Sequence, residues 1–377
     1  MRAPVVDQHA SWIAVNPIQG CPKGCLYCFL NERGQTRVRP EELTTPAETA
    51  RMLLTSPWYA PGRAVALFTW TDVMAVAGSR AYLAELLAEL TATKLPNPVV
   101  LITKCRIPPD TIEQITAARN GGLRAIVYLS YSGLDEEVER GIRHEHTVGN
   151  FRVLAEAGIP IVHYWRPAFP RSATTETMTA VLDLAARYAR CTMAAGLKVE
   201  ADAVARLAQL WPALATHPGV TEAEGVYPAA FWDFIHHTAH RHPDYPVFHT
   251  NSCALAYVLA EPDRFGVFGG PVCRLRNHCP PAQRARCAAD AARPTPSEEA
   301  VAAALTRRGL PGVAFTRQAD GRELVVHAAV ANRTVSALTQ DLGVRVRVTG
   351  QGDDAYWSSG TCGARPLVID DAEGDVP

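Results

Sequence analysis

The sequence predicts an α/β protein, a parallel sheet covered by helices, followed by a small α+β tail. Two observations predict it. Short apolar runs bounded by turn residues alternate with stretches whose apolar residues recur every three or four positions, and this texture ends near residue 260. The runs 12–16, 64–70, 98–103, 124–130, 159–165 and 192–199 read as buried strands. Between them, 45–55, 79–93, 110–119, 135–142, 148–158 and 174–190 read as helices, with Asp110 and Thr174 as N-caps closely followed by Glu. Helical patterns continue over 201–216 and 229–241, and 245–249 reads as one more strand. Such units suit a partial barrel and an open doubly wound sheet equally, because periodicity does not distinguish them.

Beyond this, 269–296 is rich in Pro, Arg and Cys and poor in apolar periodicity. A helix over 297–308, strands over 323–329 and 344–348, and a helix over 333–342 then make up the tail. The expected organisation is a main domain over 1–255, a Cys/Arg-rich bridge over 256–293 as a candidate auxiliary metal site, and an α+β domain over 294–377.

Composition narrows the class. A chain of 377 residues, 47% of them hydrophobic, can bury a sizeable core. Its formal net charge of −1 weighs against an obligatory duplex nucleic-acid partner, though not against a local basic patch. The start Met1-Arg2-Ala3-Pro4 has no apolar signal region, and no run of about 18 apolar residues predicts a membrane span. A cytoplasmic location is the expectation, and the ten cysteines then read as metal ligands, catalytic thiols or buried apolar residues rather than disulfides.

The strongest signal is Asn16-Pro-Ile-Gln-Gly-Cys21-Pro-Lys-Gly-Cys25-Leu-Tyr-Cys28, a C-x3-C-x2-C loop after the first, short strand. Three thiolates can hold three irons of a cubane cluster and leave the fourth iron open to a ligand. Gly20 and Gly24 let the backbone turn tightly beside such a core. A zinc loop, which usually pairs C-x2-C with a second C-x2-C or a His pair, and three unrelated cysteines are the alternatives.

This loop resembles the signature of the radical S-adenosylmethionine (SAM) enzymes. NPIQGCPKGCLYCF, with LITKC at 101–105, YSGLDEEVERGI at 131–142 and LAEAGIPIVHYWRPAFP at 154–170, is similar to the spore photoproduct lyase-like group over about residues 10 to 200. The resemblance implies a partial (β/α)6 barrel, a [4Fe–4S] cluster on Cys21, Cys25 and Cys28, and SAM on its open iron, cleaved to a 5′-deoxyadenosyl radical that abstracts hydrogen from substrate. It also implies a flavodoxin- or ferredoxin-type electron donor. Tyr27 falls where the family places an aromatic residue near adenine. Where many members carry Gly-Gly-Glu, Phe68-Thr-Trp-Thr-Asp72 stands here; Asp72, Thr69 and Thr71 supply similar acceptors, or Asp72 caps a helix. By position, Lys104 is assigned to the SAM carboxylate, Ser130 and Ser132 to ribose or methionine atoms, Arg166 to a carboxylate, and Ala195 and Gly196 to close approach of adenine. Cys105 takes the place of a hydrogen-donating thiol, with a buried inert thiol as the alternative.

Cys253, Cys273, Cys279 and Cys287 suit a second [4Fe–4S] cluster or a structural zinc, with His278 as a substitute ligand. Arg274, Arg276, Arg284 and Arg286 between them could bind phosphate or carboxylate. The histidines His236, His237, His240 and His242 read as a polar helix end or metal ligands. The expected activity is a lyase or tailoring reaction on a nucleic acid or nucleotide, or on a small molecule or peptide. A non-catalytic iron–sulfur or zinc-binding nucleic-acid module is the competing class.

Overall fold

The computed structural model describes residues 2–238, 241–263, 273, 279–318, 321–349 and 366–370. Its main sheet runs in strict chain order: β1 (Val6–Gln8), β2 (Ile13–Val15), β3 (Val65–Leu67), β4 (Val99–Thr103), β5 (Ala125–Ser130), β6 (Ile161–Trp165), β7 (Cys191–Ala194) and β8 (Val247–Phe248). β1 is antiparallel to β2, and every later pairing is parallel. In a doubly wound sheet the strand order reverses at a switch point. Here it does not, so the sheet winds one way like a barrel, and among the described residues no pairing joins β1 to β8 to close it. The fold is the expected α/β partial barrel.

Five helices fill the crossovers: α1 (Pro46–Leu54), α2 (Ala77–Ala92), α3 (Pro109–Asn120), α4 (His144–Glu156) and α5 (Thr175–Tyr188). Side chains alternate along each strand and sort into two layers. Ile13, Val15, Val65, Leu67, Val99, Leu101, Val127 and Leu129 face outward and pack with Leu83, Leu86, Phe151 and Leu182 of the helices. Each such buried aliphatic contributes roughly 1.5–3 kcal/mol. Trp12, Ala14, Ala66, Val100, Ile126, Tyr128, Val162 and Tyr164 face inward, against Ala254 and Leu255 of α6 (Asn251–Val258). Helix α6 is capped by Thr250, which accepts from the Cys253 amide.

Several elements differ from expectation. Thr174 caps α5 through the Thr177 amide, but α3 begins at Pro109, so Asp110 lies in its first turn instead of capping it. Proline at a first helical position loses no intrahelical bond, which moves the boundary. The segment 135–142 is not helical: Glu139–Arg140 forms a two-residue strand antiparallel to Gly24–Cys25. Gly141, at φ 82°, turns the chain before α4 starts at His144. The 201–216 stretch and, as far as residue 238, the 229–241 stretch break into short helical pieces, and Gly225–Pro228 pairs with Pro366–Ile369. Within the Pro/Arg/Cys-rich stretch, Pro281–Ala291 forms a helix, α7.

After residue 294, α8 (Glu298–Arg307), β9 (Phe315–Arg317), β10 (Glu323–Val326), α9 (Asn332–Leu342) and β11 (Arg345–Val348) enclose their own apolar cluster, which includes Val301, Leu305, Leu324, Leu338 and Val346. Ser297 caps α8, and Gly343, at φ 65°, ends α9.

Candidate functional site

The cysteine loop is built by its own backbone. Ile18–Gln19 pairs with Glu41–Glu42, the Cys21 amide donates to Gln35 O (2.8 Å), and the Val38 amide donates to Cys21 O (3.2 Å). Gly20 sits at φ 90° with Val38 against its Cα: a β-carbon there would stand 2.9 Å from Val38 Cγ2. Gly24 leaves room for the Arg37 guanidinium, which would be 2.6 Å from an added Cβ. Asn31 Nδ2 donates to Cys25 O (3.1 Å) and Cys28 O (2.8 Å), closing the loop's far end. The Leu26 amide donates to Val138 O (2.9 Å), so the 135–142 segment forms one wall of the loop.

Cys21, Cys25 and Cys28 line one cavity of about 780 Å³, within the usual range for small-molecule sites. Tyr27, Asp72, Lys104, Ser130, Arg166, Ala195 and Gly196, all named from the sequence, line the same cavity. It continues down the inner face of the sheet past Ile102, Tyr164, Met193 and Trp12. The three thiols are close enough to interact electrostatically. Burial, then Asp72, pushes Cys21 up to about 12. Burial, then Glu139, pushes Cys25 up, and burial pushes Cys28 up against the pull of Arg166, Arg206 and Lys104. A metal bound here must displace these protons, as thiolate ligation does generally. Among the described residues no three His, Cys, Asp or Glu side chains converge closely enough to hold one metal ion. In a cubane each thiolate binds its own iron, so three thiols spread round one cavity fit a cluster.

Polar contacts redistribute the expected roles. Asp72 Oδ1 accepts from the Met74 amide (3.1 Å) and Thr103 Oγ1 (2.7 Å), and Oδ2 accepts from the Lys104 amide (2.8 Å). It caps a helical turn and ties two strand ends together. Thr69 donates to Asn16 Oδ1 and Thr71 to Gly20 O, so both hydroxyl protons are committed. Lys104 Nζ lies 2.8 Å from Glu139 Oε1 and within 3.4 Å of Ser130 O and Arg166 O, which occupies its three donors. The same ammonium sits 5.6 Å from the centre of the Tyr27 ring. Arg166 donates to Tyr164 Oη (2.9 Å), and among the described residues no carboxylate pairs with it. Ser130 Oγ reaches Arg166 O at 3.4 Å, whereas Ser132 turns to Glu139.

Gly196 allows a close approach, but of protein: an added Cβ would stand 2.8 Å from the backbone of Gly225 and Val226. Cys105 is buried outside the cavity lining. Its amide donates to Thr103 Oγ1 (2.9 Å), its carbonyl accepts from Asn150 (2.8 Å), and burial, then Asp72, pushes its thiol up.

Cys253 and Cys279 pack against the inner cluster with Cys191, while Cys287 accepts from the Asp263 amide and Gln283, both at 3.4 Å, and interacts with Cys273. Arg286 bonds Gln283, while Arg274, Arg276 and His278 lie outside the described residues. The histidine run divides. His236 stacks on His249 (5.2 Å between ring centres), His237 bonds Asp233 O (3.0 Å) and His242 bonds Asp183 (2.7 Å), with His240 outside the described residues.

Glu139 is absent from the sequence-based set. It is 1% exposed, and its carboxylate takes Tyr27 Oη, Lys104 Nζ and Ser132 Oγ (3.3 Å), with His144 Nε2 a further neighbour at 3.2 Å. Burial acts to raise its pKa, but Lys104, His144 and Tyr27 together hold the carboxyl down to about 2. The run DEEVER carried no signal of this, because a helical reading spreads its acids over a solvated face. Lys198, also in the cavity lining, was missed at the end of the sixth predicted strand; it donates to Ala223 O (3.0 Å).

No family model and no curated protein matches the chain. Among solved structures it is similar to a spore photoproduct lyase complexed with dinucleoside spore photoproduct, at 14% identity and TM-score 0.42, over 53% of this chain and 61% of that one. A mutant of that lyase with bound AdoMet and the same photoproduct matches at 14% identity and TM-score 0.41, over 53% and 61%. SuiB of Streptococcus suis matches at 14% identity and TM-score 0.40, over 60% and 53%. The chain spans between about half and two thirds of the length of these structures, and each likeness is distant.

Proposed function

We propose that this chain is a radical SAM enzyme. The observation that carries the reading is the meeting, in one cavity, of the three thiols of the C-x3-C-x2-C loop with Arg166, a guanidinium left without a carboxylate among the described residues. Cys21, Cys25 and Cys28 would hold a [4Fe–4S] cluster. A cluster held there would supply the single electron for reductive cleavage of SAM, and so hydrogen-abstracting radical chemistry.

The chain's own residues do the positioning. Arg166 is held by Tyr164 and presents its remaining N–H groups to an anionic ligand, for which the SAM carboxylate is the natural candidate. Lys104 is committed to Glu139 and two carbonyls, so it acts as a support for Tyr27 and the strand ends more than as a direct carboxylate partner. Tyr27, its hydroxyl fixed by Glu139, offers a ring face to an adenine or a methionine chain. Ile102, Met193 and Tyr164 line the inner wall, where a substrate C–H would be presented away from bulk water.

Anaerobic reconstitution with iron and sulfide, followed by dithionite and SAM, tests the reading. A cluster of four irons per chain and release of 5′-deoxyadenosine are expected, with both lost in Cys25→Ala. A wild-type protein that takes up four irons but releases no 5′-deoxyadenosine would favour the non-catalytic alternative. One that binds only zinc would remove the cluster altogether.

A further inference from the structure

The Glu139 carboxylate is a buried anion placed against the cysteine loop by three independent features. Its own strand residue lies directly opposite Cys25 in the antiparallel pairing of Glu139–Arg140 with Gly24–Cys25. Its carboxylate bonds the side chain of Tyr27, two residues beyond Cys25. Its counter-ion Lys104, 2.8 Å away, reaches over the Tyr27 ring and interacts electrostatically with the Cys25 and Cys28 thiols. A carboxylate 1% exposed, with a partner side chain 15% exposed, is poorly screened by solvent or salt.

We infer that Glu139 is a positioning residue whose fixed negative charge lowers the reduction potential of the cluster bound through Cys25, against an opposite pull from Lys104. This rests on the radical SAM reading of the loop. The physical argument concerns charge alone. Adding one electron to a cluster makes it more negative, a nearby anion opposes that, and a nearby cation favours it; net charge and surroundings are established determinants of cluster potential. The pair Glu139/Lys104 sums to zero, so each member pulls the potential in the opposite direction. A residue that merely held the loop in shape would not produce effects of opposite sign from its two halves.

The experiment is a poised anaerobic redox titration of the reconstituted protein, followed by the spectrum of the reduced cluster, with iron counted in each sample. Glu139→Gln is expected to move the midpoint positive by the equivalent of tenfold or more in the reduction equilibrium, about 59 mV for one electron. Lys104→Gln, titrated well above the carboxylate range so that Glu139 keeps its charge, is expected to move it negative by a similar factor, and the double variant to return near wild type. If Glu139→Gln does not fold, the negative shift of Lys104→Gln alone still tests the sign. Single-variant shifts in the same direction, or both below threefold with four irons retained, overturn the inference and leave the radical SAM reading intact. Failure of the wild-type protein to assemble any cluster overturns that reading and the inference with it.

Discussion

Arg63, at the foot of the barrel beside β3, and Asp341, in α9 of the tail, meet in a buried ion pair at 2.9 Å, with side chains 3% and 8% exposed. Arg308 of the tail grips the same carboxylate through two nitrogens at 2.8 Å each, and Arg63 also bonds Gln8 of β1. One carboxylate therefore joins the tail to the edge of the main sheet. Asp341→Ala leaves two guanidinium groups buried without their anion, a situation that typically costs about 3–5 kcal/mol. Denaturant unfolding should show that loss, and a change below about 1 kcal/mol would mean that the junction is solvated in solution.

Arg166 gives the most direct binding prediction. Its guanidinium lines the cavity and donates to Tyr164 Oη, with no acid beside it among the described residues. Arg166→Gln should weaken SAM binding by about 10- to 100-fold, matching the roughly 1.5–3 kcal/mol of a hydrogen bond to a charged group. Equilibrium dialysis of the reconstituted protein with SAM measures this without turnover. Unchanged affinity would assign the carboxylate to another residue.

His163, fully buried in β6, supplies a pH prediction. Its Nε2 faces the Tyr131 carbonyl (2.8 Å) and must carry the proton, which leaves Nδ1 to accept from Thr192 (2.9 Å). Burial pulls its pKa down from the usual imidazole value of 6.5 to about 4. The unfolded chain takes up a proton near 6.5 while the folded chain refuses it until near 4. Stability from this group is therefore undiminished above about pH 6.5, falls through the window between, and has lost about 3 kcal/mol below pH 4. Urea unfolding of wild type and His163→Gln at pH 7.5 and 4.5 should show a smaller acid loss in the variant. Equal losses would place the acid sensitivity elsewhere.

Gly196→Ala should destabilise the protein by about 1–3 kcal/mol, the usual cost of overpacking. Its new methyl would meet Tyr227 Cε2 at 2.7 Å and the Gly225 and Val226 backbone at 2.8 Å, and a backbone cannot move aside cheaply. A drop in thermal midpoint with SAM affinity retained would match the contact seen. Unchanged stability with lost SAM affinity would return Gly196 to an adenine-facing role.

The strand pattern and the cysteine loop were legible in the sequence because both are local. A buried parallel strand declares itself as a continuous apolar run, so 98–103, 124–130 and 159–165 each correspond to a strand of the sheet. The spacing of Cys21, Cys25 and Cys28 needs no fold to be seen, and Lys104, Ser130 and Arg166 were found by standing just at or past strand ends. Tertiary structure decided which of these polar groups is free. Glu139 reads in sequence as one acid among several on a helix, yet pairing with Gly24–Cys25 buries it and commits Lys104 to it, while Arg166 keeps no carboxylate partner among the described residues. The direction of sheet winding was decided in the same way, since periodicity fixes which face of a strand is buried but not which strand lies beside it. Composition and spacing are properties of neighbours in the chain; charge compensation is a property of neighbours in space, and in this protein the partners lie 35 residues apart, at Lys104 and Glu139.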